Sequence, residues 1–218
     1  MSLEDIIKFA KNPSRRFLLE LLIDTSSSMS GQSISELNAG IATFKQERDV
    51  KVCNNSEIAI ITFGGEKPQL AQDFITFKDF IPPQFTTKDM TSLGQGIELA
   101  IEKLEARQET LKRFGIDYYQ PWIFLISDSA PTDDLHNAIN SIKLGVTNKK
   151  FTFFVIGTQN AEPNILQQIS SSQRPPLFLN GLKFRELFFW LSTSMKNILN
   201  TQPGDQVQFP PVSSWAKL

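Results

Sequence analysis

The residues best suited to chemistry follow the first long apolar run of the chain. That run ends at Asp24, and two hydroxyl side chains, Ser26 and Ser28, follow at alternate positions. In an open α/β sheet, the loops that leave the carboxyl ends of the strands form the ligand-binding edge. Hard divalent cations prefer oxygen ligands, and Mg²⁺ uses one or two carboxylates. The segment therefore predicts a metal-binding loop. For an isolated segment of this kind, the alternative is that Asp24 and the serines simply cap the next helix.

The Asp24-x-Ser26-x-Ser28 segment resembles the first part of the metal-ion-dependent adhesion site (MIDAS) of von Willebrand factor type A (VWA) domains. The resemblance extends to Thr91, which precedes a long amphipathic stretch in KDMTSLGQGIELAIEKL, and to Asp128, which ends an apolar stretch in PWIFLISDSAPTDD. Thr86 and Thr87 lie in the same loop as Thr91, which we prefer because it directly precedes the helix. The resemblance implies that one divalent cation, Mg²⁺ or else Mn²⁺ or Ca²⁺, is held by these five residues: Asp24, Ser26, Ser28, Thr91 and Asp128. It also implies that an Asp or Glu of a partner protein takes the open position on the metal.

Within that family, the motifs look most like those of the bacterial TerY-like group. The group is associated with tellurite-resistance and chemical-stress gene clusters, where it is thought to act as a scaffold. Two positions depart from the family pattern: Ser27 and Ser129 stand where Gly is common. Neither change removes a ligand, although Ser129 disfavours a positive φ in its loop.

Composition excludes several classes of function. The chain has 218 residues, 40% of them hydrophobic, and a net charge of −1, so it lacks the basic field of nucleic-acid-binding proteins. The single cysteine, Cys53, cannot form an internal disulfide. We find no secretion signal and no apolar run of membrane length. These observations predict a cytoplasmic protein that binds neither nucleic acid nor membrane; they do not indicate its oligomeric state.

The order of apolar patterns predicts alternating strands and helices. Strands are expected at 16–23, 56–64, from Pro68 onward, at 121–128, 150–157 and around 175–180. Helices are expected between Ser33 and Val50, from Thr91 to about Phe114, around Leu135–Ile142, and at 162–170 and 184–200. The strand after Pro68 is predicted to be an antiparallel edge, because an edge strand tolerates proline. Asp133 or Asp134 is expected to cap the helix that carries Leu135.

These elements predict an α/β fold, a doubly wound three-layer sandwich of the VWA or Rossmann-like type. Its sheet is expected to have six strands, mostly parallel, with one antiparallel edge strand. We predict an N-terminal extension at 1–14, which includes a short amphipathic helix begun by Ser2, a VWA domain at 15–200, and an extended tail at 201–218. Phe209, Val212 and Trp215 are expected to let the tail lie against the domain.

The resemblance implies a docking module rather than an enzyme. One alternative is a phosphatase or phosphotransferase of the haloacid-dehalogenase type with Asp24 as its nucleophile. That family needs a second Asp two positions later, where this chain has Ser26. No nucleotide-binding glycine motif occurs. His136 is interpreted as a solvated helix residue and Cys53 as a residue without a role in the site.

Two aromatic residues, Phe189 and Trp190, lie off the apolar face of the last helix. Either the tail or a neighbouring strand covers them, or they form an exposed patch that binds a partner. The patch supports a third function, a metal-independent adaptor.

Overall fold

The computed structural model describes residue 9 and residues 12–47, 49–128, 130–201 and 207–217. The predicted helix begun by Ser2 lies mostly outside these residues, as does part of the predicted tail. Within the described residues the chain forms seven strands: β1 (Phe17–Ile23), β2 (Ser56–Thr62), β3 (Gln69–Thr76), β4 (Trp122–Ser127), β5 (Thr152–Gly157), β6 (Leu177–Leu179) and β7 (Ala216–Lys217). The α-helices whose full bounds fall within those residues are α1 (Gln32–Phe44), α2 (Val50–Asn55), α3 (Leu93–Arg113), α4 (His136–Thr147), α5 (Pro163–Ile169) and α6 (Phe184–Asn200).

The strands form one sheet in the order β3-β2-β1-β4-β5-β6-β7. Five strands, β1, β2, β4, β5 and β6, run parallel, and β3 pairs antiparallel with β2 at one edge. The predicted fold class, with its antiparallel edge strand, is confirmed. One addition was not predicted. At the other edge, the two-residue strand β7 of the tail pairs antiparallel with β6.

Helices cover both faces of the sheet and enclose two hydrophobic cores. Along β1, Phe17, Leu19, Leu21 and Ile23 face the core under α1, α2 and α6, while Leu18 and Leu22 face the core under α3, α4 and α5. Alternate strand residues point to opposite faces, so a strand buried on both sides must be apolar at nearly every position. This explains the almost continuous apolar run of β1.

The helix expected between Ser33 and Val50 ends earlier than that interval. α1 stops at Phe44, and a second short helix, α2, begins after Asp49. The Asp49 carboxylate caps α2 by accepting hydrogen bonds from the N–H groups of Lys51 and Val52. Such caps favour a new helix start because the first N–H groups of a helix have no intrahelical partner. No helix in the described part of the chain is long and apolar enough to cross a bilayer.

Candidate metal centre

The predicted site lies at the carboxyl ends of the two central strands. β1 and β4 are parallel neighbours, and Asp24 and Asp128 are the residues that directly follow them. The Asp24 N–H donates to the Ile126 carbonyl at 2.9 Å, so strand pairing continues to the start of the loop. The two carboxylates are thereby brought to the same edge of the sheet, as the sequence predicts.

Hydrogen bonds from the first loop and from the end of β4 hold the Asp24 carboxylate. Oδ1 accepts from the Ser26 N–H at 2.9 Å, and Oδ2 accepts from the Ser127 hydroxyl at 2.9 Å and from the Asp128 N–H at 3.2 Å. The side chain is completely buried. Asp24 therefore cannot be interpreted as a helix cap: its carboxylate binds its own loop and the end of β4.

A chain of hydroxyl groups connects the first loop to Asp128. Ser26 Oγ and Ser28 Oγ are 2.8 Å apart, and the Ser28 hydroxyl donates to Asp128 Oδ1 at 2.5 Å. Ser26 is buried, whereas Ser28 is exposed. The second carboxylate oxygen, Asp128 Oδ2, is buried and makes no hydrogen bond within the described residues. The cluster thus reaches solvent on the side of Ser28.

Thr91 lies on the loop beside this cluster and is almost fully buried. It stands two residues before the first residue of α3, whereas the sequence predicted that it directly precedes the helix. Its backbone bridges to Gly64 and Gly65 in the loop after β2 and bonds to Thr132 in the loop after β4. The loop after β1, which carries Asp24, also contacts the loop that carries Thr91, because the Lys88 N–H donates to the Thr25 carbonyl at 2.8 Å. Four predicted residues are therefore joined by direct hydrogen bonds, and the fifth is fixed on the adjoining loop.

Burial raises the pKa of the Asp128 carboxyl from its ordinary value to about 6. The hydrogen bond from Ser28 acts in the opposite direction, and the nearby charge of Asp24 raises the pKa further. Two carboxylates held close together in a buried site repel each other unless a proton or a cation compensates them. The two carboxylates therefore favour the binding of a proton or a cation at this site.

The donor set fits a hard divalent cation. Among the described residues, no group of three or more His, Cys, Asp and Glu side chains gathers as a metal cluster. The oxygens available here are instead two carboxylates and neutral hydroxyls. Mg²⁺ suits such a site because it keeps several waters and needs only one or two carboxylates from the protein. The orphaned oxygen of Asp128 is the group that a cation would satisfy.

Sequence reasoning missed three residues around the site. Ser127 donates to Asp24; the Thr132 hydroxyl bonds to the backbone of Thr91; and Asp133 accepts from the first N–H groups of α3. The N-cap position of α4 is Leu135, which makes no side-chain cap; Asp134, one residue earlier, accepts from the N–H of the first helical residue, His136, at 3.1 Å. The departure at Ser129 lies outside the described residues.

The two aromatic residues of α6 have different environments. Phe189 is 72% exposed, whereas Trp190 is only 5% exposed. Trp190 Nε1 donates to the Pro210 carbonyl at 2.7 Å, and its ring lies 5.5 Å from that of Trp215. The tail therefore covers Trp190, which is not available to a partner in this structure. The hypothesis of a partner-binding patch is restricted to Phe189.

Solved structures with the same fold come from diverse proteins. Proximal thread matrix protein 1 from the mussel byssus is 14% identical, with a TM-score of 0.57 over 84% of this chain and 48% of its own. The SpRpn10 VWA domain is 16% identical, with a TM-score of 0.55 over 79% of this chain and 93% of its own. The pilus adhesin SpaC from Lactobacillus rhamnosus GG is 13% identical, with a TM-score of 0.64 over 85% of this chain and 30% of its own. The chain thus spans less than half of the mussel protein and of SpaC.

Another structure of the mussel protein is described as having a zinc-occupied MIDAS motif; it is 16% identical, with a TM-score of 0.51, and covers 90% of this chain and 49% of its own. At these identities the likeness shows the fold alone. No curated protein sequence matches the chain significantly.

The family model of the von Willebrand factor type A domain matches residues 19–188. This range contains all five predicted metal ligands and well over half of the chain. The family assignment and the structural neighbours give no support to the haloacid-dehalogenase alternative. The chain belongs to the von Willebrand factor type A domain family.

Proposed function

We propose that this protein is a metal-dependent protein-interaction module. Asp24, Ser26, Ser28, Thr91 and Asp128 would hold one divalent cation, Mg²⁺ or else Mn²⁺ or Ca²⁺. When bound, the cation supplies an open coordination position that accepts an Asp or Glu side chain of a partner protein. The module therefore recognises a carboxylate and carries out no reaction.

The observation that carries this proposal is the state of Asp128. One of its carboxylate oxygens is buried without a hydrogen bond from the described part of the chain, and the other accepts from Ser28 at 2.5 Å. A buried acceptor without a partner is costly, and the cost is larger when the group is charged. A cation held by Asp128 would remove that cost, because it would supply the positive charge that the two carboxylates lack.

The other residues support the same role. Asp24 is held rigidly by donors of the first loop and of the end of β4, so it needs little reorganisation on metal binding. Ser26 and Ser28 are hydroxyls, which can rotate their protons away and offer a lone pair to a cation. Because Ser28 is exposed, the solvent side of the site is where a partner carboxylate would arrive.

The proposal is tested by titrating Mg²⁺ and Mn²⁺ into the protein by calorimetry, beside the variants Asp24→Ala, Thr91→Ala and Ser28→Ala. We expect the first two variants to lose binding and the third to weaken it. Ser30→Ala is a matched control, since Ser30 is an exposed serine of the same loop that belongs to none of the predicted ligands. Wild-type affinity in Asp24→Ala would refute the five-residue site.

Partner capture is a second test. A carboxylate-dependent partner recovered by the wild-type protein with Mg²⁺ should be lost with chelator and with Asp24→Ala. A pulldown that neither treatment affects would favour the metal-independent adaptor. That alternative rests on Phe189, which borders a groove of about 350 Å³ between α1 and α6 lined also by Phe44, Glu47 and Ser192. Phe189→Ala would then abolish capture.

We further propose that the protein works in the cytoplasm and belongs to the TerY-like branch, in a tellurite-resistance or chemical-stress response. The support is the sequence motifs around Asp24 and Asp128 and the single cysteine, Cys53, which has no second cysteine in the sequence with which to form an internal disulfide. Deleting the gene in its host and measuring tolerance of tellurite tests this assignment, with the Asp24→Ala gene as the control for a metal-dependent role.

A further inference from the structure

The loop after Asp128 reaches across to the residue that precedes α3. Three hydrogen bonds join Thr132 to the backbone of Thr91. The Thr132 hydroxyl accepts from the Thr91 N–H at 3.1 Å and donates to the Thr91 carbonyl at 3.1 Å, and the Thr132 N–H donates to that carbonyl at 2.9 Å. Both peptide groups of Thr91 are therefore held by one residue of a loop 41 positions later in the chain.

The next residue of the same loop holds the start of the helix. Asp133 Oδ1 accepts from the Gly94 N–H at 3.1 Å, and Oδ2 accepts from the Gln95 N–H at 2.9 Å. The residue before α3, Ser92, makes no side-chain cap, and the first turn contains no acidic residue. The first N–H groups of a helix lack intrahelical partners and carry partial positive charge, so a carboxylate there is stabilising. Asp133 supplies that carboxylate from outside the helix.

The two segments are too close for any residue except glycine at position 94. A Cβ atom on Gly94 would lie 2.3 Å from the Asp134 carbonyl oxygen, closer than such contacts occur. The backbone of the loop therefore packs directly onto the first turn of α3. This contact and the five hydrogen bonds above hold the loop after β4 against the start of α3. We call this set of contacts the clamp; it consists of Thr132 and Asp133 on the loop and of Gly94 on the helix.

We propose that Thr132 and Asp133 are positioning residues that hold Thr91 and the first turn of α3 against the loop of Asp128, so that both ligands face one cation. The inference rests on the proposed metal site, but the clamp is a property of the metal-free chain. Groups that orient the ligands of a metal commonly contribute 10- to 100-fold to its affinity. The clamp also couples the loop after β4 to the loop that carries Thr91. A displacement of the loop after β4 would break the hydrogen bonds that hold Thr91.

The test compares Thr132→Val, which has the same shape without the hydroxyl, with Thr132→Ser, which keeps the hydroxyl. We expect Thr132→Val to weaken Mg²⁺ binding by about 10- to 100-fold and Thr132→Ser to restore most of the affinity. Thr110→Val is the matched control, because the Thr110 hydroxyl donates to the Ala106 carbonyl at 3.0 Å within the same helix. Its Mg²⁺ affinity should equal that of the wild type.

A second readout needs no metal. Amide hydrogen exchange in the presence of chelator should accelerate at Thr91 in Thr132→Val, and at Gly94 and Gln95 in Asp133→Ala, while both variants keep a folded spectrum. If the wild type binds no Mg²⁺, the proposed function fails, and exchange at these amides still decides whether the clamp exists. Unchanged exchange at Thr91 in Thr132→Val would overturn the clamp. Unchanged Mg²⁺ affinity in that variant would overturn its positioning role.

Discussion

At the scale of single residues, Asp128 combines an energetic cost in the metal-free fold with the role in cation binding that we propose for it. Its side chain is 1% exposed, one of its oxygens has no hydrogen-bond partner among the residues that the structure describes, and burial raises its pKa to about 6. An ionised carboxylate in this environment destabilises the metal-free fold relative to the unfolded chain, in which its pKa is ordinary. Sites that bind cations commonly sacrifice stability in this way.

The variant Asp128→Asn tests separately how Asp128 affects the stability of the metal-free fold and whether it is needed for Mg²⁺ binding. We expect the metal-free variant to be more stable than the wild type at pH 7 by about 1–2 kcal/mol, because the amide removes the repulsion from Asp24. Mg²⁺ binding should be lost, because one of the two carboxylates is gone. Urea unfolding with chelator measures the first effect and calorimetry the second. A variant that is less stable without metal would show that the carboxylate pair is not repulsive.

At the scale of elements, β1 contains a second buried carboxyl that belongs to no site. Glu20 is completely buried, and neither of its carboxylate oxygens makes a hydrogen bond within the described residues. Burial holds its pKa well above the ordinary value; Asp73 on β3 raises the pKa further, and Lys103 on α3 lowers it. On the neighbouring strand, the equally buried Glu57 is bound by Arg107 at 2.6 and 3.1 Å. Both acids are therefore buried, but they differ in their partners. Glu57 has an Arg side chain in contact with its carboxylate, whereas Glu20 has no hydrogen-bonded partner among the described residues.

Glu20→Gln should therefore raise the free energy of unfolding at neutral pH. A carboxyl whose pKa is raised by folding binds its proton more tightly in the folded state, so stability falls as the pH rises above the unfolded value, near 4.5. The wild type and the variant should be similar below that pH and should diverge above it. Urea unfolding between pH 4 and pH 8 measures the difference. Parallel curves for the two proteins would contradict this interpretation.

Glu57→Gln is the control for that experiment. Removing one partner of a buried ion pair commonly costs about 3–5 kcal/mol, because the other charge stays buried. We therefore expect Glu57→Gln to destabilise the protein at neutral pH, in the opposite direction to Glu20→Gln.

The elements that could be predicted from the sequence are those whose signals are local. The central strands have continuous apolar runs, and α3 repeats its apolar residues at helical spacing, so both follow from neighbouring residues. Asp24 and Asp128 could be assigned because each directly ends such a run. The clamp could not be assigned, because the function of Asp133 depends on α3, nearly forty residues earlier. The sequence indicates that Asp133 or Asp134 caps a helix, but the order of residues does not tell which helix is capped.

At the scale of the whole molecule, the C-terminal tail completes the core on one face. Trp215 is fully buried in the same core as α1 and α6, and its carbonyl accepts from the Asn180 N–H at 2.7 Å. The tail also bonds to α6, where Asn197 donates to the Gln208 carbonyl at 2.8 Å. It thereby links the last strand and the last helix. Periodicity could not predict this, because a two-residue strand has no measurable period.

Trp215→Ala should destabilise the whole domain rather than only release the tail. Truncating a buried aromatic side chain commonly costs about 3–5 kcal/mol, because it leaves a cavity. Trp215→Phe should cost much less, since Trp215 Nε1 makes no hydrogen bond within the described residues and only ring volume is lost. Ser213→Ala, at an exposed residue of the tail, is the control and should have a small effect.

Urea unfolding measures the three stabilities, and tryptophan emission gives a second readout. If the tail is part of the core, Trp215→Ala uncovers Trp190, and the emission of the folded variant shifts to longer wavelength. Wild-type stability and unshifted emission in Trp215→Ala would mean that the domain holds α6 without the tail. Trp190 would then be kept from solvent by contacts other than those of Trp215, and the exposed aromatic surface of α6 would still be restricted to Phe189.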